Sequence, residues 1–537
     1  MVTSSSQPRT SPGAQREVGT PTDPEHWFLS AADRGNPDTV LDSRHADGRA
    51  WTLGNEVTPL VHGSAYFAAL LAAVQAMGEG DLLMFTDWRG DPDERLGGPG
   101  TEVGQVFAAA AARGVDVRGL VWRSHWDRFR FSAAENRHLG EEIEEAGGQC
   151  LLDMRVRPLG SHHQKLVVLR HRDRPQDDVA FIGGIDLCHS RRDDEAHRGD
   201  PQPVEMAAVY GPTPPWHDVQ LQVRGPAVGD AETVFRERWE DATPLTLNPL
   251  RRLDDLVRGS RTRVRPLPPQ HPDPDPCGTA AVQLLRTYPP RFPPYPFARR
   301  GERSVARGYV AALAHAQRLV YLEDQYLWSA DVAAAFARAL RHSPELRLVV
   351  VVPLHADQGG RSAELPTELG RMHAMRVLRR AGGRRVALYG VENEAGTPIY
   401  VHAKVCVVDD AWACIGSDNA NRRSWTHDSE LSAAFVEGTT TGTARSLRVE
   451  LAAEHLGAAA PDDLDDPVAW FEAYRSAAAA LDAWHAGGRR GPRPPGRVRT
   501  YRFQHIGTRD RLWAEPIYRW VYDPDGRTPA DRLARRF

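Results

Sequence analysis

Cysteine is scarce in this chain. The 537 residues hold five, Cys150, Cys188, Cys277, Cys406 and Cys414, with no CxxC pair among them. That spacing excludes a thiolate-built zinc or iron–sulfur centre and a disulfide-stapled scaffold. The odd number leaves at least one thiol free unless it pairs between chains, and Cys406 and Cys414 sit inside apolar runs as core filling. Few cysteines favour a reducing compartment. Long apolar stretches are missing too. No run reaches the roughly 18 residues of a membrane span, so none is expected. The first residues, MVTSSSQPRTSPGAQREVGT, have no apolar centre and do not read as a signal peptide. The expected location is cytoplasmic or peripherally membrane-associated. Charge of one sign is also lacking: 67 basic against 71 acidic residues give a net charge of -4. Such a balance supplies no general attraction to nucleic acid, and none is expected as a partner.

What is present is a globular composition, 41% hydrophobic and 26% charged, on a chain too long for one core. Residues 1–22 are polar and Pro/Ser-rich and read as a disordered tail. Helical spacing in SAYFAALLAAVQAMGEG precedes a buried strand, DLLMFTDW. VGQVFAAAAARG and VDVRGLVWR repeat that order, and LVVL and VAFIGG follow as a hairpin. PLPPQHPDPDPCG then interrupts, a stretch no sheet interior would accept. After it the order restarts: SVARGYVAALAHAQR, LVYLEDQYLW, DVAAAFARALRHS, LRLVVVVPL, RMHAMRVLRRAG and VALYG alternate helix and strand. The pattern predicts an α/β protein of two similar lobes related by a pseudo-twofold duplication, each a mixed β-sheet flanked by helices. The lobes are placed at 23–250 and 281–460, joined by a Pro-rich linker at 251–280. An extension at 461–537 carries aromatics that need a surface to cover and packs back on the lobes.

Both halves end their alternation on the same short motif. The second half reads HAKVCVVDDAWACIGSDNA from His402, and the first reads HQKLVVLRHRDRPQDDVAFIGGID from His163. On a strand, side chains two apart share a face, so His402 and Lys404 project together, and His163 and Lys165 do likewise. An imidazole and an ammonium on one face make poor core. They suit a phosphate: one attacks or protonates, the other neutralises oxygens. Two such faces meeting across the lobes would set one imidazole on each side of a phosphorus atom, with no cofactor or metal required. In the second half HxKxxxxD runs from His402 to Asp409, and Gly416, Ser417 and Asn419 follow in a tight turn that offers an amide, a hydroxyl and a carboxamide to phosphate oxygens.

This pattern resembles the phospholipase D superfamily. HHQKLVV, IGGIDLC, PWHDVQLQVRGPAV, IYVHAK and NRRSWTHDSEL extend the likeness to its lipid-acting branch with two fused repeats, over roughly residues 55–460. The compact shape looks like a bacterial relative, whereas GGIDLC and WHDVQLQVRGPAV are similar to eukaryotic-type sequences. The resemblance implies phospholipid hydrolysis to phosphatidate and an alcohol, on phosphatidylcholine-like substrates at a membrane surface. Water or a second alcohol is the acceptor, a phosphohistidine the intermediate, and the enzyme a monomer. It implies that His163 is the nucleophile, His402 the general acid and base, and Lys165 and Lys404 the phosphate-oxygen ligands, assisted by Ser417 and Asn419. His162 matches the family's non-catalytic first histidine. Glu430 is expected to orient the first-half histidine and Asp193 the second. Gly183 and Gly184 stand where the second motif has Gly416 and Ser417, and Asp186 where it has Asn419. His217 is a further pocket candidate, with its neighbour Asp218 read as a structural turn, and Trp122 and Trp328 as entrance-lining candidates beside Trp88.

The first motif departs from the pattern. Arg170 stands at the position of Asp409, and Lys165 to Gly183 spans 18 residues where Lys404 to Gly416 spans 12, an insertion of six within RHRDRPQDD. A longer hairpin absorbs that at little cost. Asp173, Asp177 and Asp178 are the candidates to replace the carboxylate. Alternative readings are a cardiolipin synthase-like phosphatidyltransferase, a superfamily nuclease or phosphodiesterase, and a non-catalytic membrane-binding homologue.

Overall fold

The computed structural model describes residues 23–537 apart from 125–132, 259, 261, 439–441, 462, 464–465 and 535. The tail expected at 1–22 lies outside the described residues.

The first half contributes β1 (Thr52–Val61), β2 (Leu82–Asp87), β3 (Asp116–Trp122), β4 (Gln149–Asp153), β5 (Leu166–Arg170), β6 (Val179–Gly183), β7 (Trp216–His217) and β8 (Val219–Arg224). The second contributes β9 (Ala280–Tyr288), β10 (Glu302–Arg303), β11 (Leu319–Glu323), β12 (Arg347–Val351), β13 (Val386–Val391), β14 (Tyr400–Val401), β15 (Val405–Val408), β16 (Trp412–Gly416), β17 (Glu430–Glu437) and β18 (Val498–Thr500). Sixteen of them form one continuous sheet in the order β18-β13-β12-β11-β15-β16-β17-β9-β1-β8-β6-β5-β2-β3-β4, with β10 on β9, while β7 and β14 pair in a separate two-stranded sheet. Outward from the β9–β1 junction the halves match strand for strand: β8, β6, β5, β2, β3, β4 on one side, and β17, β16, β15, β11, β12, β13 on the other. β2, β3 and β4 run parallel, as do β11, β12 and β13, whereas the inner strands, and β18 against β13, pair antiparallel. The expected duplication of two mixed-sheet lobes is therefore the observed architecture, and the two sheets fuse through β1 and β9.

Alternation along the strands sorts the core. Leu166 and Val168 of β5, Ala180 and Ile182 of β6, and Val405 and Val407 of β15 face one cluster shared by both halves. Val167, Leu169 and Phe181 face a first-half cluster, and Cys406 and Val408 a second-half one. Both faces of the sheet are covered, which is why these strands read as unbroken apolar runs. Helices Gly63–Gln75 and Val103–Ala112 cover the first-half outer face, and Ser304–His315 and Ala330–His342 its counterpart. Ala227–Trp239, Thr443–Leu456 and Pro467–Ala486 cover the shared face.

Two local expectations change. LVYLEDQYLW is strand only to Glu323, because the Asp324 carboxylate accepts the amide hydrogens of Tyr326 and Leu327 at 2.7 and 2.6 Å and turns the chain. The helix Pro249–Arg258 runs across the start of the span read as linker. No helix among the described residues is long and apolar enough to cross a membrane.

Candidate active site

Both HxK motifs lie at strand mouths rather than within strands. His163 and Lys165 immediately precede β5, and His402 and Lys404 bridge β14 to β15. Each is tied to the opposite half. The amide of His163 donates to the Ser429 carbonyl at 2.9 Å, and that of His402 to the His217 carbonyl at 2.7 Å. Parallel pairing of β14 with β7 sets Val401 beside His217.

The side chains repeat this exchange. His163 Nδ1 lies 2.8 Å from Glu430 Oε2, and His402 Nδ1 lies 2.6 Å from Asp218 Oδ2. Glu430 opens β17, and Asp218 immediately precedes the matching strand β8. Each histidine is thus oriented by the carboxylate of the other half. Asp218 replaces the expected Asp193. The Asp193 carboxylate instead accepts the amides of Asp194, Gly199 and Trp216, which closes the loop leading to β7.

Hydrogen-bond polarity fixes the tautomer of His163. The Ser417 hydroxyl accepts from the Leu431 amide at 3.0 Å and donates to Glu430 Oε2 at 2.5 Å. Burial, and after it the Asp428 carboxylate, pushes Glu430 up to about 8. Glu430 Oε1 has no hydrogen-bond partner among the described residues. With Oε2 the acceptor, Nδ1 of His163 carries the hydrogen and Nε2 presents a lone pair. Burial, with Lys165 next, holds His163 well below the ordinary imidazole value, and burial with Lys404 does the same for His402.

The lysines complete the symmetry. Lys165 Nζ donates to the His163 carbonyl at 3.0 Å and pairs with Asp186 at 3.2 Å. Lys404 Nζ donates to the His402 carbonyl and lies 3.4 Å from Gln325 Oε1. Burial lowers Lys404 to about 8, against the pull of Asp218. Both histidines feel both lysines and Asp186, so the two motifs form one site. Behind Asp186 the Asp87 carboxylate holds the Leu187 amide at 2.9 Å, and behind Asn419 Asp324 holds the Ala420 amide at 2.7 Å. The buried Asn419 amide oxygen has no hydrogen-bond partner among the described residues.

Other expected residues fall elsewhere. Asp409 accepts the amides of Gln317, Arg318 and Leu319 at 2.7 to 2.8 Å, at the far end of β15, and does not reach the histidines. Arg170 is likewise remote, paired with Asp178 at 2.8 Å and Glu232 at 2.7 Å. Of the candidate replacements, Asp178 is the one beside Arg170, where it serves as a buried partner. Gly183 and Gly184 act by being small: a β-carbon would meet Gln220 Oε1 at 2.4 Å and Asp218 Oδ1 at 2.4 Å, respectively. The Gly184 amide is spent on the Val219 carbonyl at 3.3 Å, so it is not a phosphate donor. His217 turns away to Glu323 at 2.6 Å. His162 is buried and lies 3.2 Å from the Gln164 amide oxygen. Trp122 stacks on Trp88, whose ring lies 6.1 Å from that of His163. Trp328 packs with Tyr326, Tyr518 and Tyr522. The sequence reading missed Gln325 and Arg191, whose guanidinium covers Trp216 at 4.0 Å and reaches Asp186 at 3.6 Å.

Comparison with known proteins agrees with this symmetry. A family model described as "Phospholipase D" matches residues 92–287, and one described as "Cardiolipin synthase, PLD-like domain" matches residues 309–445. Similar sequences include "Phospholipase D alpha 2" of Oryza sativa subsp. japonica, 27% identical over 68% of this chain and 59% of that protein. "Phospholipase D alpha 1" of Cynara cardunculus is 26% identical over 68% and 60%. The chain therefore spans less than two thirds of these relatives, and they are plant proteins, not the bacterial ones the compact shape led us to expect. The crystal structure of phosphatidylserine synthase from Haemophilus influenzae Rd KW20 shares the fold, with a TM-score of 0.50, 13% identity, and coverage of 75% of this chain and 87% of that one. With one matching domain in each half, fused through a common sheet, the chain belongs to the phospholipase D superfamily.

Proposed function

We propose that the chain is a phosphodiesterase on phospholipids, releasing phosphatidate and a head-group alcohol, and transferring the phosphatidyl group when a second alcohol competes with water. The observation that carries this reading is the exchanged pair of histidine–carboxylate contacts flanked by two lysines. His163 Nε2 attacks phosphorus, and the bond from phosphorus to the head-group oxygen breaks. That oxygen takes the proton of His402 Nε2. His402 then takes a proton from water or an alcohol, the new oxygen attacks phosphorus, and the bond to His163 breaks. Lys165 and Lys404 neutralise the non-bridging oxygens, and the anionic phosphate between them favours the protonated form of His402 that the first step needs.

A lipid substrate is supported by the surface beside the site. Leu512, Trp513, Ile517, Trp520 and Val521 are exposed, among the exposed Arg509, Arg511 and Arg519. This segment is clamped near the site: Arg423 donates to the carbonyls of Val521 and Tyr522, and Arg422 pairs with Asp523. Arg422 follows Asn419 by three residues. Exposed tryptophan, leucine and arginine on one short segment suit a bilayer interface.

The test is mass spectrometry of protein quenched after brief exposure to mixed phospholipids and ethanol, with lipids analysed in the same sample. Phosphatidylethanol and a phosphoryl-type adduct on His163 are expected. Absence of both, across all head groups, overturns the proposal.

A further inference from the structure

Directly behind the His402 support lies a second constellation that the proposed chemistry does not use. His62 sits at the junction of β1 and the helix Gly63–Gln75, His197 on the loop before β7, His217 in β7, and Glu454 on the helix Thr443–Leu456. The three imidazoles are nearly or wholly inaccessible. His62 Nε2 and His197 Nε2 each lie 2.8 Å from the Glu454 carboxylate, and His217 Nδ1 lies 3.8 Å from it. One ligand atom from each of the four residues falls within 4.8 Å of all the others.

The outer contacts settle which ring nitrogens face inward with lone pairs. His197 Nδ1 lies 3.0 Å from the Trp216 carbonyl, which only accepts, so Nδ1 carries the hydrogen. His217 Nε2 lies 2.6 Å from Glu323, whose other oxygen is 2.8 Å from His455 Nε2. A carboxylate shared between two imidazoles accepts from both, so His217 Nε2 carries the hydrogen. Neutral His197 and His217 therefore aim Nε2 and Nδ1 lone pairs at the same Glu454 oxygen. A proton on His197 answers one of them. It leaves His217 Nδ1 buried, without a hydrogen-bond partner among the described residues, and facing an anion.

We infer that His62 Nε2, His197 Nε2, His217 Nδ1 and the Glu454 carboxylate form a structural site for a divalent transition-metal cation of the zinc type. Three imidazoles and one carboxylate suit such an ion and not calcium or magnesium, which take oxygen ligands. Four protein ligands leave no open position, the mark of a structural centre. The outer hydrogen bonds of His197 to a backbone carbonyl and of His217 to a carboxylate are the supports that ligating histidines use. His62 and His197 both hold a left-handed backbone, with φ of 69° and 50°, to bring their rings inward. The ion would tie three first-half residues to a second-half helix and fix β7, whose next residue is Asp218. This inference does not depend on the proposed reaction.

The test uses full-length protein stripped by a chelator and then freed of it. Zinc is titrated in competition with a chromogenic chelator, and cobalt(II) is added to a parallel sample. We expect uptake of about one equivalent, a rise of several degrees in Tm, and the visible absorption of a tetrahedral cobalt site. His62→Ala and Glu454→Gln each lower zinc affinity by at least about 10–100-fold. No uptake by the wild-type protein at micromolar free zinc overturns the inference, and the cluster is then a hydrogen-bonded network alone. Uptake that survives unchanged in the His197→Gln/Glu454→Gln double variant also overturns it. The wild-type titration and spectrum need no variant, so a variant that fails to fold leaves the test standing.

Discussion

Asp218 Oδ2 lies 2.6 Å from His402 Nδ1, although the two residues are 184 positions apart and belong to different halves. The same relation joins Glu430 to His163 at 2.8 Å across 267 positions. Neither half can orient its own histidine. A chain cut between the halves would keep both HxK motifs and lose both carboxylate contacts, so the site exists only when β1 and β9 join the sheets.

Replacing Asp218 with Asn keeps the shape and removes the charge. An imidazole held by a carboxamide adopts the wrong tautomer and loses support for its cationic form. The loss in kcat for Asp218→Asn is expected to be on the order of 10²–10⁴-fold, with folding retained. Asp193→Asn, which weakens the acceptor of three loop amides and lies away from His402, should lower Tm more than it lowers kcat. Steady-state rates and thermal melts of the two variants separate the roles. Equal kinetic losses would contradict the assignment of Asp218.

Restoring the aspartate that the first motif lacks should damage the protein. Arg170 is buried between Asp178 and Glu232, at 2.8 and 2.7 Å. Arg170→Asp would set a third buried carboxylate against Asp178 and Glu232, with Arg236, 2.6 Å from Glu232, left to offset them, at a cost of about 3–5 kcal/mol. Asp409→Ala should likewise cost about 1–3 kcal/mol by orphaning three amides, with little change in the pH profile of whatever activity remains. Denaturant melts measure both. An Arg170→Asp protein as stable as wild type would refute this account of the motif.

The duplication and the two HxK motifs were legible in the sequence because strand and helix periods repeat and the motif residues are close together in the chain. Glu430 was legible through its run HDSEL. Asp218 was misread, although a symmetry signal existed: HDV before β8 corresponds to SEL at β17. Asp193 drew the assignment because the resemblance puts an acidic residue in HSRRDD, and only the folded loop shows its oxygens filled by backbone amides. Asp409 and its counterpart position Arg170 were read as part of the site because they close the HxKxxxxD spacing, but five residues of strand carry them to the far end of β15 and β5. The clamp of Arg422 and Arg423 on the tail depends on contacts about 100 residues apart, which no local pattern reveals.

Lys404 sets an alkaline limit. Burial lowers it to about 8, so its charge is present below that pH and lost above it. Asp218 and Asp324 favour the charged form, and Lys165 opposes it. kcat/KM should fall as pH rises through about 8, and the residual activity of Lys404→Arg, which stays cationic, should lack that limb. Glu430, also near 8, would persist as a limb in the variant if it were the cause, so the profile of Lys404→Arg decides between them.

The exposed apolar face should matter for aggregated lipid and not for dissolved lipid. Leu512 and Trp520 are 73% and 72% exposed, so removing them costs little packing. Leu512→Ala/Trp520→Ala should reduce binding to anionic vesicles and the rate on them by about 10-fold or more. The rate on a monomeric short-chain phospholipid should stay within about twofold, since substitutions of exposed residues act locally. Flotation with vesicles, together with rates on the two substrate forms, checks this. A parallel loss on the monomeric substrate would show that the face serves the fold instead.

The leaving group separates the two histidines. If His402 gives its proton to the departing oxygen, its removal matters only when that oxygen needs a proton. An alkyl head-group alcohol is a poor leaving group and requires one, whereas p-nitrophenolate departs without it. His402→Asn should lose about 10²–10⁴-fold with an alkyl head group, yet far less in the burst of p-nitrophenol from a p-nitrophenyl phosphodiester. The second step still needs a base, so the adduct on His163 should accumulate and the burst should be followed by slow turnover. His163→Asn has no nucleophile and should lose both reactions equally, with no burst. Rapid-quench kinetics on the two substrates, with mass spectrometry of the quenched protein, tests the assignment. A burst in His163→Asn and none in His402→Asn would exchange the two roles, which the near-symmetry of the site makes the one specific alternative to exclude.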